Sequence, residues 1–208
     1  MLKSPDGVVK PMNRNPYAQG EPPIEGPWEA DRYFFKVIFN FSTLKYAISV
    51  EGSPDPLAFL EYGGYSIKNH IHVYAADEGH TPLLELDATN FANGWATMMV
   101  SDPERGEVLG ELRRHYWDSI SCDMWTLRGP ELGPPLTARE DSHGLLRHSF
   151  TFKRAYSLFI HGRRAGALRL PSPTSGWELD LTLDPAGELD RRLAIAFAAV
   201  LLTVEIFT

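Results

Sequence analysis

His70 and His72 flank a single isoleucine, and side chains two residues apart on a β-strand point the same way. With His80 as a third donor, their imidazoles could ligate zinc or another transition metal. Apart from that, no third ligand stands at a clear spacing. The pair therefore reads first as the polar side of a strand, alternating with Ile71 and Val73.

Three basic clusters form the second candidate: Arg113-Arg114, Lys153-Arg154 and Arg163-Arg164. Brought together by neighbouring strands, they would grip an anionic head group through charge-assisted hydrogen bonds. Kept apart, they are solvated strand ends and loop tips, the common situation for surface charge. Arg163-Arg164 are expected inside a hairpin turn, where solvation alone explains charge.

Nucleophilic chemistry has thinner support. Asp141-Ser142-His143 contains triad residue types, but neighbours in sequence rarely converge on one site, and the G-x-S-x-G elbow is absent. Cys122 with His115 would make a nucleophile and base, although a small buried cysteine is the simpler reading. Neither G-x-x-x-x-G-K-[ST] nor G-x-G-x-x-G occurs, so no nucleotide cofactor is expected.

The bulk properties narrow the partners. The chain has 208 residues, 43% of them hydrophobic and 12% aromatic, which suits one globular domain. A formal net charge of -7 argues against nucleic acid, whose phosphates reward dense Lys and Arg. It also argues against broad adhesion to anionic membrane, though not against a local basic patch. A single cysteine rules out an intrachain disulfide and any zinc site needing two thiolates. The N-terminal stretch has no apolar h-region. Both features suit a cytoplasmic protein.

Something must position these side chains, and the pattern says strands. Residues 1–30 are rich in Pro, Gly and Asn and read as an extended, partly ordered arm that Tyr17, Ile24 and Trp28 could pin. From Tyr33 the period becomes two. Turns are expected at Ser42–Leu44, Asp77–Gly79, Asp102–Gly106, Gly129–Gly133 and His161–Gly166, each of the last four closed by glycine. So many hairpins, recurring about every 25 to 30 residues, would expose edges unless the sheet closes into a barrel. GWELDLTL alternates cleanly, with Trp177, Leu179, Leu181 and Leu183 on one face. Tryptophans 95, 117, 125 and 177 are expected in barrel packing.

A helix follows, starting at Asp184-Pro185 or after a turn leading to Asp190. Residues 193–204, LAIAFAAVLLTV, have no polar face. At ~1.5 Å per residue this is ~18 Å, short of the ~30 Å membrane core. A helix apolar all round then belongs in a core, and a barrel lumen surrounds it on every side. About ten side chains at ~1.5 kcal/mol each give a gross gain on the order of 15 kcal/mol.

Serial hairpins of the form V-x-D-x-x-G-x-x-L-x-x-L before a hydrophobic C-terminal helix resemble the tubby C-terminal-like superfamily. That group contains tubby domains, phospholipid scramblases and the LURP-one-related proteins. The residues carrying the resemblance are VYAADEGHTPLLEL (73–86), MVSDPERGEVLGELRRHYW (99–117) and DRRLAIAFAAVLLTVEIF (190–207). It implies one mainly β domain over 31–208, a closed antiparallel barrel of about twelve strands around a central helix near 188–206. It also implies a non-enzymatic binding module for anionic phospholipid head groups or a protein partner, touching membrane peripherally if at all. Two features depart from it: there is no cysteine cluster of the scramblase kind, and no Asp-rich calcium loop. The alternatives are a metal-dependent enzyme built on His70 and His72, or a structural interaction protein.

Overall fold

The computed structural model describes residues 28–39, 44–53, 55–62, 70–77, 80–90, 97–115, 123–129, 135–141, 154–170, 178–186 and 189–204. Its strands are β1 (Arg32–Phe39), β2 (Leu44–Val50), β3 (Ala58–Tyr62), β4 (His70–Ala75), β5 (Pro82–Asn90) and β6 (Thr97–Asp102). They continue as β7 (Glu107–Arg114), β8 (Met124–Arg128), β9 (Leu136–Glu140), β10 (Ala155–Ile160), β11 (Arg163–Arg169) and β12 (Glu178–Leu183), and the helix α1 spans Arg191–Val204.

The twelve strands form one closed barrel in simple meander order, and β1 pairs with β12 to complete the wall. Every pairing is antiparallel. Closure removes the exposed edge that a sheet of this length would otherwise carry. Alternation decides which side chains enter the lumen. Tyr33 and Phe35, Tyr46 and Ile48, Ile71 and Val73, and Leu179, Leu181 and Leu183 all point inward and are at most 4% exposed.

The helix occupies that lumen. From Leu193 to Leu202 no side chain is more than 3% exposed, whichever way it faces. Phe197 meets Trp125 and Tyr156 edge-on, with ring centroids at 5.7 and 5.9 Å. Thr203, the one polar side chain in the run, donates its hydroxyl to the Val200 carbonyl at 2.9 Å. No helix among the described residues is long and apolar enough to cross a membrane.

One of the two expected helix starts holds, and one turn needs correction. The helix begins at Arg191, after the turn leading to Asp190 rather than at Asp184-Pro185. Asp190 caps it, its Oδ1 accepting the Arg192 amide at 2.9 Å. The turn expected over His161–Gly166 is only His161-Gly162, with φ of 50° and 73°. Two successive positive φ values make the tight primed turn that matches strand twist, so Arg163 and Arg164 already lie in β11.

Candidate functional site

The meander sets where each basic cluster falls. β7 ends at Arg113-Arg114, and Arg154 immediately precedes β10. In an antiparallel meander these positions share one end of the barrel. β11 starts at Arg163-Arg164, at the opposite end. Lys153 lies outside the described residues. The five described residues therefore do not gather on a single patch.

Arg114 is committed inward. Its Nε donates to Asp123 Oδ1 at 2.9 Å, and Asp123 is fully buried. The other carboxylate oxygen accepts the Trp125 indole N–H at 3.1 Å and the Tyr156 hydroxyl at 3.0 Å. Glu140, 2% exposed, accepts the Asp123 amide at 3.0 Å. Burial, aided by the charges of Asp123 and Glu140, pushes the Tyr156 phenol well above its ordinary range, while Arg154 opposes the shift. Two buried carboxylates beside cationic side chains form a satisfied structural cluster.

At the other end, two arginines tie the helix to the wall. Arg192 reaches Asp102 Oδ2 at 3.0 Å, Asp190 Oδ2 at 2.9 Å and Glu107. Hydrogen bonding to Asp190 leads the causes that raise its guanidinium above the ordinary value. Arg191 donates to the Ala30 carbonyl at 3.1 Å and to Asp31.

The histidines sit on the outer face of β4, as their alternation requires. His70, His72 and Tyr74 stack in a row, with centroids 6.2 and 5.7 Å apart, and His80 meets Tyr74 edge-on at 6.4 Å. His70 Nδ1 contacts Asp87, and His72 Nδ1 is 3.9 Å from Glu85. Among the described residues no three His, Cys, Asp or Glu side chains are grouped to hold a metal ion. Asp141 accepts the Ser157 hydroxyl at 3.1 Å, and a His115 ring nitrogen contacts the Thr126 hydroxyl. Ser142, His143 and Cys122 lie outside the described residues.

A concave feature lies on the outer wall among the described residues. A groove of about 320 Å³ crosses β11, β12 and β1, lined by Arg32, Arg164, Gly166, Ala167, Arg169, Asp180, Thr182, Leu183 and Asp184. Arg32 grips Asp180 with two parallel bonds, Nε to Oδ1 at 3.2 Å and Nη2 to Oδ2 at 2.9 Å. Its remaining nitrogen reaches Glu51 at 3.0 Å. Asp184 accepts the Ala186 amide at 3.1 Å.

Of these arginines the sequence singled out Arg164 alone. Arg164 and Arg169 are five residues apart, an odd interval that ordinarily puts side chains on opposite faces. The register slips between Leu158 and Phe159: Leu158 opposes Gly166, and Phe159 opposes Arg164. Ala165 is the extra residue of this β-bulge, and it turns both arginines outward.

Compared with protein-family models, curated proteins and solved structures, the chain matches none of the three.

Proposed function

We propose that this chain is a non-enzymatic binding module of the tubby-like kind, nearest the LURP-one-related and scramblase-like branch, that engages anionic phospholipid head groups. The observation that carries this reading is the filled lumen. A barrel whose interior holds an apolar helix, with Leu193–Leu202 at most 3% exposed, has its lumen filled by its own chain along that length. Recognition then belongs to the outer wall and the barrel ends.

The wall carries arginines in two states. Arg114, Arg191, Arg192 and Arg32 are engaged by carboxylates. Arg163, Arg164 and Arg169 are exposed. Exposed guanidinium is the group suited to phosphate and carboxylate. The net charge of -7 makes such contact local rather than adhesive over the whole surface.

The metal-dependent enzyme has less support, because His70 is turned to Asp87 and His72 lies beside Glu85. Sedimentation with phosphatidylserine and phosphoinositide vesicles at low salt tests the binding reading. Retention that fades as salt rises is expected; no retention on any anionic vesicle overturns it. Stoichiometric metal in the purified protein, with melting raised by added zinc or nickel, would favour the enzyme instead.

A further inference from the structure

We infer that the groove across β11, β12 and β1 is a binding site for a single phosphomonoester group, held by Arg164 and Arg169. The inference rests on the outer-wall reading above and names its site.

The electrostatics come first. Arg169 sits directly across from Asp180 in the β11–β12 register, the position in which a cross-strand ion pair would form. It has no such pair. Both oxygens of Asp180 face Arg32, which approaches from β1 on the far side. Arg164 opposes Phe159, not an acid. Among the described residues neither Arg164 nor Arg169 has an ion-pair partner. Asp180 is thus neutralised from one flank, and two guanidiniums on the other flank remain without an ion pair, Asp184 being the one further carboxylate that lines the groove.

Shape comes second. Between the two arginines on the outer face lies only Ala167, whose register partner on β12 is Thr182. A methyl group leaves the floor bare. Two outward steps along a strand put the arginine backbones ~13 Å apart, within the span of two inward-leaning side chains. A volume of about 320 Å³ is at the small end of ligand sites, which suits one head group rather than an extended chain.

Chemistry chooses the ligand. One carboxylate offers a single pair of oxygens and satisfies one guanidinium fork. A phosphomonoester presents three terminal oxygens sharing up to two negative charges and can meet two forks together. A long polyanion is disfavoured, since Asp184 lines the groove and Glu51 is bound to Arg32 beside it. The phosphate could come from a lipid such as phosphatidic acid or from a soluble molecule such as an inositol phosphate.

The test uses the full chain with three probes: inorganic phosphate, a soluble inositol phosphate, and phosphatidylcholine vesicles with and without phosphatidic acid. The paired substitution Arg164→Ala with Arg169→Ala is expected to weaken binding about tenfold for each guanidinium lost. Ala167→Glu, which puts a carboxylate on the floor, is expected to do the same with both arginines intact. Arg139→Ala, an exposed arginine on β9, should bind like the parent, and unchanged melting of every variant excludes misfolding. Affinity for the vesicles as well as the soluble probes identifies a lipid ligand. Affinity for the soluble probes alone identifies a soluble one and removes the lipid part of the reading. Binding that survives both groove substitutions overturns this site while leaving the outer-wall reading in place. Failure of the parent chain with every probe overturns this site; the outer-wall reading falls only if phosphatidylserine and phosphoinositide vesicles also fail to retain the chain.

Discussion

Arg114 Nε lies 2.9 Å from Oδ1 of Asp123, a carboxylate with no exposure to solvent. The pair joins the end of β7 to the residue preceding β8. Removing one partner strands a buried charge, which costs about 3–5 kcal/mol. Arg114→Ala is expected to lower the melting temperature on the order of 10 °C, whereas Arg163→Ala, fully outside, should change stability by less than about 0.5 kcal/mol. Thermal melts of the two variants check this. Equal melting would mean that Arg114 is a surface group.

Two buried tyrosines should respond oppositely to loss of the hydroxyl. Tyr156 donates to Asp123 at 3.0 Å, a bond to an ionised group worth about 1.5–3 kcal/mol. Tyr46 is equally buried, but its hydroxyl has no partner among the described residues. Tyr156→Phe should therefore destabilise by about that amount. Tyr46→Phe should be neutral or stabilising. Urea unfolding midpoints read both.

Alkali should unfold the barrel through the same rings. Desolvation raises the phenols of Tyr33, Tyr46 and Tyr156 above their ordinary 10. A raised folded-state value means that the native protein binds more protons, so stability is full below pH 10 and falls as pH rises beyond it. Each ring contributes a slope of about 1.4 kcal/mol per pH unit. After the less buried tyrosines have titrated, phenolate absorbance should rise in a cooperative step coincident with loss of structure, and complete ionisation with the barrel still folded would contradict the burial.

Acid acts on a smaller feature. The Asp77 carboxylate accepts the Thr81 amide at 3.2 Å and its hydroxyl at 2.9 Å. The Thr81 amide, then its hydroxyl, lowers the acid below its ordinary 3.8. A depressed value means that the contribution is present above pH 3.8 and lost as pH falls through the lowered midpoint. NMR should show Asp77 titrating below the ordinary value, with the Thr81 amide shifting in step. Asp77→Asn should abolish the coupled shift.

Ending the chain at residue 190 removes the whole of α1. The lumen would lose the side chains from Leu193 to Leu202, all nearly or fully buried, a gross loss on the order of 15 kcal/mol against a native stability of ~5–15 kcal/mol. The product should be insoluble or molten. A well-dispersed NMR spectrum from residues 1–190 would overturn the central role of the helix.

The barrel and its contents were legible because they rest on two strong periodicities. Leu179, Leu181 and Leu183 announce an inward face, and LAIAFAAVLLTV announces a helix with no face turned to water. The β10–β11 turn was misread because Arg163 and Arg164 look like loop residues. The informative signal was the His161-Gly162 pair, which suits two positive φ values. The groove was hidden for two reasons. A bulge at Ala165 defeats the period-two rule that locates Arg164 and Arg169. The partner that leaves Arg169 free, Arg32, is 148 residues from Asp180 in sequence. Asp123 carries no local pattern either; only the fold shows that Arg114 and Tyr156 converge on it.

The seam between β1 and β12 pairs Phe35 with Leu179, and the helix that fills the lumen comes later still. During translation at roughly 5–20 residues per second, the first strand waits on the order of 10 s for its neighbour. Until then the nascent hairpins present open edges and a greasy inner surface to their surroundings. Pairings this distant in sequence also imply slow folding. Ribosome stalling before β12 and α1 are made would therefore release aggregation-prone chains rather than a smaller stable barrel.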